Sequence, residues 1–415
     1  MRALSDKVSA ATLDRFTHRH RLRAAEALPW LAAVAAYFLF PDYLALGAQI
    51  LATILFALSL DLVLGYAGIV TLGHAAFFGT GAYTAGILAA NGWGEPISGL
   101  LAAGLMAAVV GLLSGAVILR TSGLTLLMQT LVVAAMLGEL ANKAARITGG
   151  ADGLQGMEVW PILGQFRFDL FGRTAYLYCG IVLLIAWALV RAIVHSSFGR
   201  SLTGIRENVL RMHAVGAPVA RRKLVAYTIS AALAGISGAL IAQTAQFVGL
   251  GVLGLERSGT ILIMLIIGGI GELYGAFIGV PLYMIAQDRF SEIDPVYWYF
   301  WIGEFMVLLV VFAPGGVLGL PARLRRFGAS VFTADRVQVE PVLRAAAITA
   351  ILLALNLWIA LDSQGGALAD RPQCLVWPAS ACLGSAAWLI PVLLWLGIGL
   401  LAARRFASRH PAGKP

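Results

Sequence analysis

The stretch Asp61-LVLGYAGIVTLGHAAFFGTGA-Tyr83 decides how this chain is read. It lies within a long apolar region, yet it holds an aspartate, His74, and glycines at 65, 68, 73, 79 and 81. An uninterrupted lipid-facing helix has no use for so many helix-weakening residues. The stretch is expected to hold the end of one helix (44–64), a tight glycine turn, and the close-packed start of another helix (69–90). Small residues let neighbouring helices approach backbone to backbone. Asp61 is a candidate to cap the turn or to line a path. His74 can line that path or bond a backbone carbonyl freed by the glycines.

The rest of the chain sets the context. Of 415 residues, 60% are hydrophobic and 12% charged, and mean hydropathy is +0.84. A soluble domain of that length needs more charge to cover its surface. The apolar runs are long and continuous, which excludes the alternating ten-residue segments of a barrel and leaves spanning helices. A span takes about 20 apolar residues. Twelve runs qualify: 28–41, 44–64, 69–90, 97–119, 122–142, 174–194, 224–248, 251–270, 275–290, 297–313, 342–361 and 384–403. The run at 28–40 has the length of a signal-peptide core, but its long lead-in and the prompt next run favour a short first helix.

The net charge of +9 is no nucleic-acid footprint, because the basic residues gather in short segments between apolar runs. The 195–223 segment carries Arg200, Arg206, Arg211, Arg221, Arg222 and Lys223, and further arginines lie in 314–341 and 404–415. Placing these segments and both termini in the cytoplasm satisfies the positive-inside rule. It also requires a break in 251–290 at GGIGELYG. The chain divides into a segment 1–27, a core 28–320, a basic linker 321–341, and an appended hydrophobic hairpin with a basic tail, 342–415.

Catalytic signatures are missing: no Walker A loop, HExxH or GxSxG occurs. Cys179, Cys374 and Cys382 form no CxxC pair, so no metal site is expected. Cys374 and Cys382 share a polar loop and can pair or stay free. The external loop 144–174 contains QFRFDLF, whose alternation suggests a small hairpin. Glu139 and Lys143 stand at i and i+4 and are expected to pair. Glu304 falls inside an apolar run, where a carboxylate is costly and has a reason; Gln243, Gln246 and Arg257 are candidate partners.

The segment 196–240 carries an amphipathic pattern over 198–214, broken by Gly216 and Pro218. By composition it is an ordinary basic loop. Five pieces in order change that reading: the opening stretch, TGGADGLQG (148–156), GRSLTGIREN…AVG (199–216), MLIIGGIGELYGAFIG (264–279) and FAPGGVLGL (312–320). Together they resemble the permease subunits of branched-chain (hydrophobic) amino-acid ABC importers of the LivM type, over about residues 40–320. The resemblance implies an all-α integral membrane protein of the bacterial inner membrane. It implies a polytopic bundle of about ten core transmembrane helices in two inverted repeats, here followed by the extra two-helix hairpin. It implies a coupling loop at Gly199, Arg200, Arg206, Glu207, Asn208, Ala214 and Gly216. It implies a second, homologous permease, two ATP-binding subunits that hold ATP and magnesium, and a periplasmic solute-binding protein. No cofactor is expected in this chain. In the repeat scheme, 65–73 corresponds to 247–259. Translocation-path or helix-packing candidates are Asp61, Gly65, Gly68, Gly73, His74, Gly79, Gly81, Gly268, Gly269, Gly271 and Glu304. The rival reading, an ion-coupled transporter working without an ATPase, expects more acidic groups at mid-membrane than the sequence has.

Overall fold

A computed structural model describes residues 27–161, 166, 172–293, 298–299, 302–303, 305–306 and 316–319. Glu304, Cys374, Cys382, the linker, the appended hairpin and nearly all of QFRFDLF lie outside the described residues.

The described chain is largely helical, and a β-bridge joins Leu154 to Val248. The helices are α1 (Leu28–Leu39), α2 (Leu44–Asp61), α3 (Ala75–Ala90), α4 (Pro96–Ile118), α5 (Leu124–Lys143) and α6 (Arg173–His195). Then come α7 (Ser197–Glu207), α8 (Val209–Ala214), α9 (Val219–Ala245), α10 (Leu255–Gly268) and α11 (Gly275–Ile293). Among the described residues, five segments are long and apolar enough to cross a membrane: Pro41–Tyr66, Pro96–Ile118, Leu124–Lys143, Arg173–His195 and Val219–Ala245. Two more, Leu28–Leu39 and Ala75–Ala90, are apolar but shorter.

The chain forms two compact units, Met1–Tyr283 and Met284–Pro415. In the second, Phe290 meets Phe305 edge to face at 6.3 Å and Arg289 pairs with Glu292 at 2.9 Å.

The first unit is built around α9, which packs on α2, α3 and α4. Its sequence explains how. Small residues recur along it, and each admits a neighbour's backbone. A Cβ on Gly238 would sit 1.9 Å from the Phe78 carbonyl oxygen, and one on Gly81 of α3 would sit 2.1 Å from the Gly235 carbonyl oxygen. Without a hydrophobic drive between helices in lipid, such close packing supplies the attraction. Polar side chains then fix the register: Ser237 Oγ donates to Ala52 O (2.7 Å), Ser230 Oγ donates to Ser59 O (2.5 Å), and Gln243 Nε2 donates to Pro96 O (2.8 Å). Tyr178 of α6 donates to Gln243 Oε1 at 3.0 Å. Gln243 is therefore engaged with α4 and α6.

At the periphery, Trp30 of α1 makes edge contacts with Trp187 (5.5 Å) and Phe277 (5.3 Å). Glu139 and Lys143 pair at 3.5 Å as their spacing predicts, with both side chains exposed. Cys179 is a buried free thiol. The motif TGGADGLQG is a run of turns: Gly149, Gly150, Gly153 and Gly156 all have positive φ. They bring Leu154 onto Val248, where both join a cluster with Tyr83, Met157 and Leu253.

Gly238→Ala is expected to force α3 and α9 apart and destabilise the protein by about 1–3 kcal/mol. The control Gly138→Ala, whose Cβ meets nothing closer than Leu253 at 3.9 Å, is expected to be neutral or to stabilise by about 0.5–1 kcal/mol. Thermal unfolding of the detergent-solubilised protein measures both.

Candidate functional site

The opening stretch is a broken helix. After Asp61, α2 widens into one π turn, Leu62–Tyr66. Ala67 N then donates to Leu62 O and Ile69 N to Val63 O. In a continuing α-helix Ile69 N would donate to Gly65 O, so that carbonyl is left over. Gly68 turns the chain at φ +69°, and α3 begins only at Ala75. The helix expected over 69–90 is therefore shorter, because residues 67–74 run as non-helical chain.

This link lies against α5. Leu72 N donates to Thr130 Oγ1 at 3.3 Å, and a Cβ on Gly73 would be 2.0 Å from Thr130 O. It also touches α10, since Ala75 N donates to Ser258 Oγ at 2.9 Å and so satisfies one orphan donor at the start of α3. On α3 itself, Gly79 faces Leu253, whose Cδ2 would lie 2.3 Å from an added Cβ. Gly79 and Gly81 are thus helix-packing residues.

His74 is buried, stacked on Phe56 with ring centres 5.5 Å apart. Its Nε2 lies 2.9 Å from Ser59 Oγ, and that hydroxyl donates to Phe56 O at 2.6 Å. With the hydroxyl proton engaged, the histidine supplies the proton of their shared bond from Nε2, leaving Nδ1 an acceptor. His74 thus bonds a serine side chain of α2, where bonding a freed backbone carbonyl was one of the two roles expected for it. Nδ1 of His74 and Oδ2 of Asp61 are buried with no hydrogen-bond partner among the described residues.

A second break follows α10. Gly269 (φ 119°) and Gly271 (φ 82°) take conformations that other residues rarely adopt. Gly268 packs on the far side of this turn, where its Cβ would be 1.9 Å from Gly275 O. The split expected at GGIGELYG is present. Asp61 serves this second turn: Gly271 N donates to its Oδ1 at 2.7 Å. Asp61 therefore does not cap the glycine turn that follows it in sequence, because its side chain at the end of α2 faces a segment 210 residues away.

The third component is the basic loop. The single amphipathic helix expected over 198–214 is two helices, because Asn208 is extended (φ −157°) and caps the second, accepting from Arg211 N at 2.9 Å. Ser196 caps the first through Gly199 N at 3.3 Å. Gly199 packs on the end of α6, 2.2 Å from Val194 O if a Cβ is added. Ala214 ends α8, and Gly216, at φ 81°, turns the chain toward α9. Leu202 and Ile205 are fully buried, while Arg200, Glu207 and Asn208 are exposed. Arg206 Nη1 donates to Gly65 O, the carbonyl left over in the π turn. The structure thus gathers Asp61, Gly65, Gly68, Gly271 and Arg206 in one place; His74 and Gly73 lie further along the first break.

Serines 59, 230, 237 and 258 were not singled out in the sequence, where isolated serines in apolar runs carry no spacing signal. Arg257, a suggested partner for Glu304, lies over the Phe78 ring at 5.2 Å. Gly249, Gly251 and Gly254 have the spacing of a dinucleotide loop, but they link two helices with no strand before them. Among the described residues no group of three His, Cys, Asp or Glu can hold a metal ion.

Broken apolar helices that turn at glycines around a polar, partly unsatisfied interior define a multi-pass membrane transport protein. The chain belongs to the family described as branched-chain amino acid transport system / permease component, whose profile matches residues 43–313. It is 29% identical over 290 residues to the high-affinity branched-chain amino acid transport system permease protein LivM of Escherichia coli (strain K12), covering 64% of this chain and 67% of that one. The Salmonella typhimurium LivM is 28% identical with the same coverage. The autoinducer 2 import system permease protein LsrC of Enterobacter sp. (strain 638) is 31% identical over 155 residues, 35% of this chain and 41% of that one. No solved structure matches. The chain is accordingly a multi-pass inner-membrane permease.

Asp61→Ala leaves the part-buried Gly271 N–H without its acceptor, which costs about 1–3 kcal/mol. Asp61→Asn keeps a carbonyl oxygen for it and is expected to lose less than half as much. Thermal unfolding in detergent checks the order of the two variants.

Proposed function

We propose that this chain is the permease subunit of an ATP-driven importer that moves branched-chain amino acids or related small solutes into the cytoplasm. Its partners are a homologous permease, two ATPase subunits that bind ATP and magnesium, and a periplasmic solute-binding protein. The chain itself makes and breaks no covalent bonds. Its core comprises about ten spanning helices in two inverted repeats, with both termini cytoplasmic, and the hairpin after residue 335 stands outside the transport path.

The observation that carries this reading is the shape of the 197–216 loop. Its first helix buries Leu202 and Ile205 against the protein. Its second helix presents Leu210, 80% exposed, beside Arg211 and His213, and Val215, 77% exposed, follows its last residue. Large apolar side chains held out from a basic loop suit a partner protein better than water. In the proposed mechanism, ATP-driven closure of the ATPases pushes this loop, and the broken helices respond by opening the path to one side of the membrane and then the other.

Reconstitution with the partner subunits tests the assignment. Leucine uptake into proteoliposomes is expected to require ATP and both ATPase subunits; uptake that persists without an ATPase refutes it. Within that assembly, Leu210→Asp is expected to lower the ATPase subunits' affinity for the permease at least about tenfold, the loss of one well-buried apolar anchor. Val225→Asn serves as a control on α9, and co-purification stoichiometry gives the readout.

A further inference from the structure

We propose that Arg206 is a positioning residue that joins the cytoplasmic loop to both glycine breaks at once, so that movement of the loop is imposed on the two breaks together. The proposal rests on the importer reading for its role in transport, while the mechanical linkage stands on the geometry alone.

Three segments far apart in sequence meet at this residue. Arg206 lies in the last turn of α7, whose apolar face is anchored by Leu202 and Ile205, so its stem is fixed to the loop's rigid part. Its guanidinium donates to Gly65 O, a carbonyl freed by the π turn. Its stem lies along Gly68, where an added Cβ would be 3.0 Å from Arg206 Cγ. On the other side, a Cβ on Gly271 would be 2.9 Å from Arg206 Nη1. Gly65 and Gly271 also touch each other, since a Cβ on Gly65 would be 2.7 Å from Gly271 N. One turn before Gly65, Asp61 holds the Gly271 N–H.

The two breaks therefore form one unit, closed by Asp61 and tied to the loop by Arg206. Arginine suits the task. Its planar guanidinium carries several N–H donors in a fixed fork, which can keep a donor on the carbonyl as the loop shifts. Neither break can be displaced alone without losing the Asp61–Gly271 bond or closing the space that the two glycines leave open.

Two measurements test this. The first needs no solute or partner: hydrogen exchange on the full chain in lipid nanodiscs. Arg206→Ala is expected to speed exchange of the amides in 65–73 and in 269–273 together, by about tenfold, the loss of one charge-assisted bond. Arg206→Lys, with a single charged donor, is expected to fall between Arg206→Ala and wild type, and the amides of α4 are expected to be unchanged. Faster exchange at one break only, at neither, or throughout the protein overturns the linkage.

The second uses the assembled complex in proteoliposomes with radiolabelled leucine. Arg206→Ala is expected to consume at least about three times more ATP per leucine than wild type, with partial rescue by Arg206→Lys. An unchanged ratio, whether or not both rates fall, overturns the role in transport. Wild type without ATP-dependent uptake overturns the importer reading instead and leaves the exchange result to decide the linkage. If Arg206→Ala fails to assemble, Arg206→Lys and Arg206→Gln decide by the same ratio.

Discussion

A backbone N–H or C=O shut away from water must find its partner within the protein, and a helix that stops inside a packed structure raises that demand at its end. The structure is organised by how it meets that demand at two helix breaks. After α2, the Gly65 carbonyl goes to Arg206. At the start of α3, the Ala75 N–H goes to Ser258. Beyond α10, the Gly271 N–H goes to Asp61. Each partner comes from a distant segment, so satisfying the breaks also fixes the relative positions of α2, α3, α7 and α10.

Glycine makes this economical in space. At Gly81, Gly235 and Gly238 it removes the side chain that would hold α9 away from α3, and the helices meet nearly backbone to backbone. At Gly68 and Gly271 it supplies positive φ at the turns themselves. The same residue type thus serves rigid packing along the helices and sharp reversal at their ends. Contact that close leaves helices few arrangements between one packed state and another. A transport protein that works by rearranging packed helices makes use of that property.

Much of the fold was legible in the sequence, and particular residues explain why. Long apolar runs can be counted, and nine of the twelve fall where the structure describes helices, within several residues. Gly216 was readable because glycine's backbone preferences act locally, and the GGIGELYG split because the distribution of basic segments required a break there. The boundary before α3 was misplaced, since Ile69, Val70 and Leu72 are as apolar as helix residues and nothing local shows that their backbone bonds go elsewhere. Asn208 was counted among the coupling residues, but its extended conformation was not foreseen; an N-cap needs only an asparagine before a helix start, and the preceding run was itself helical in pattern.

By itself the sequence determined that this is a multi-pass helical membrane protein, which segments are apolar enough to be helices, where glycines interrupt them, and which family it joins. These properties are carried by composition, local order and short motifs. Only the tertiary structure decided what each polar residue in the interior does. Asp61 serves a turn 210 residues away, His74 bonds a serine one helix back, and Arg206 takes a carbonyl 141 residues before it. Such pairings depend on which helix faces pack together. That is settled by the shape of whole surfaces in contact, and no local pattern in the chain records it.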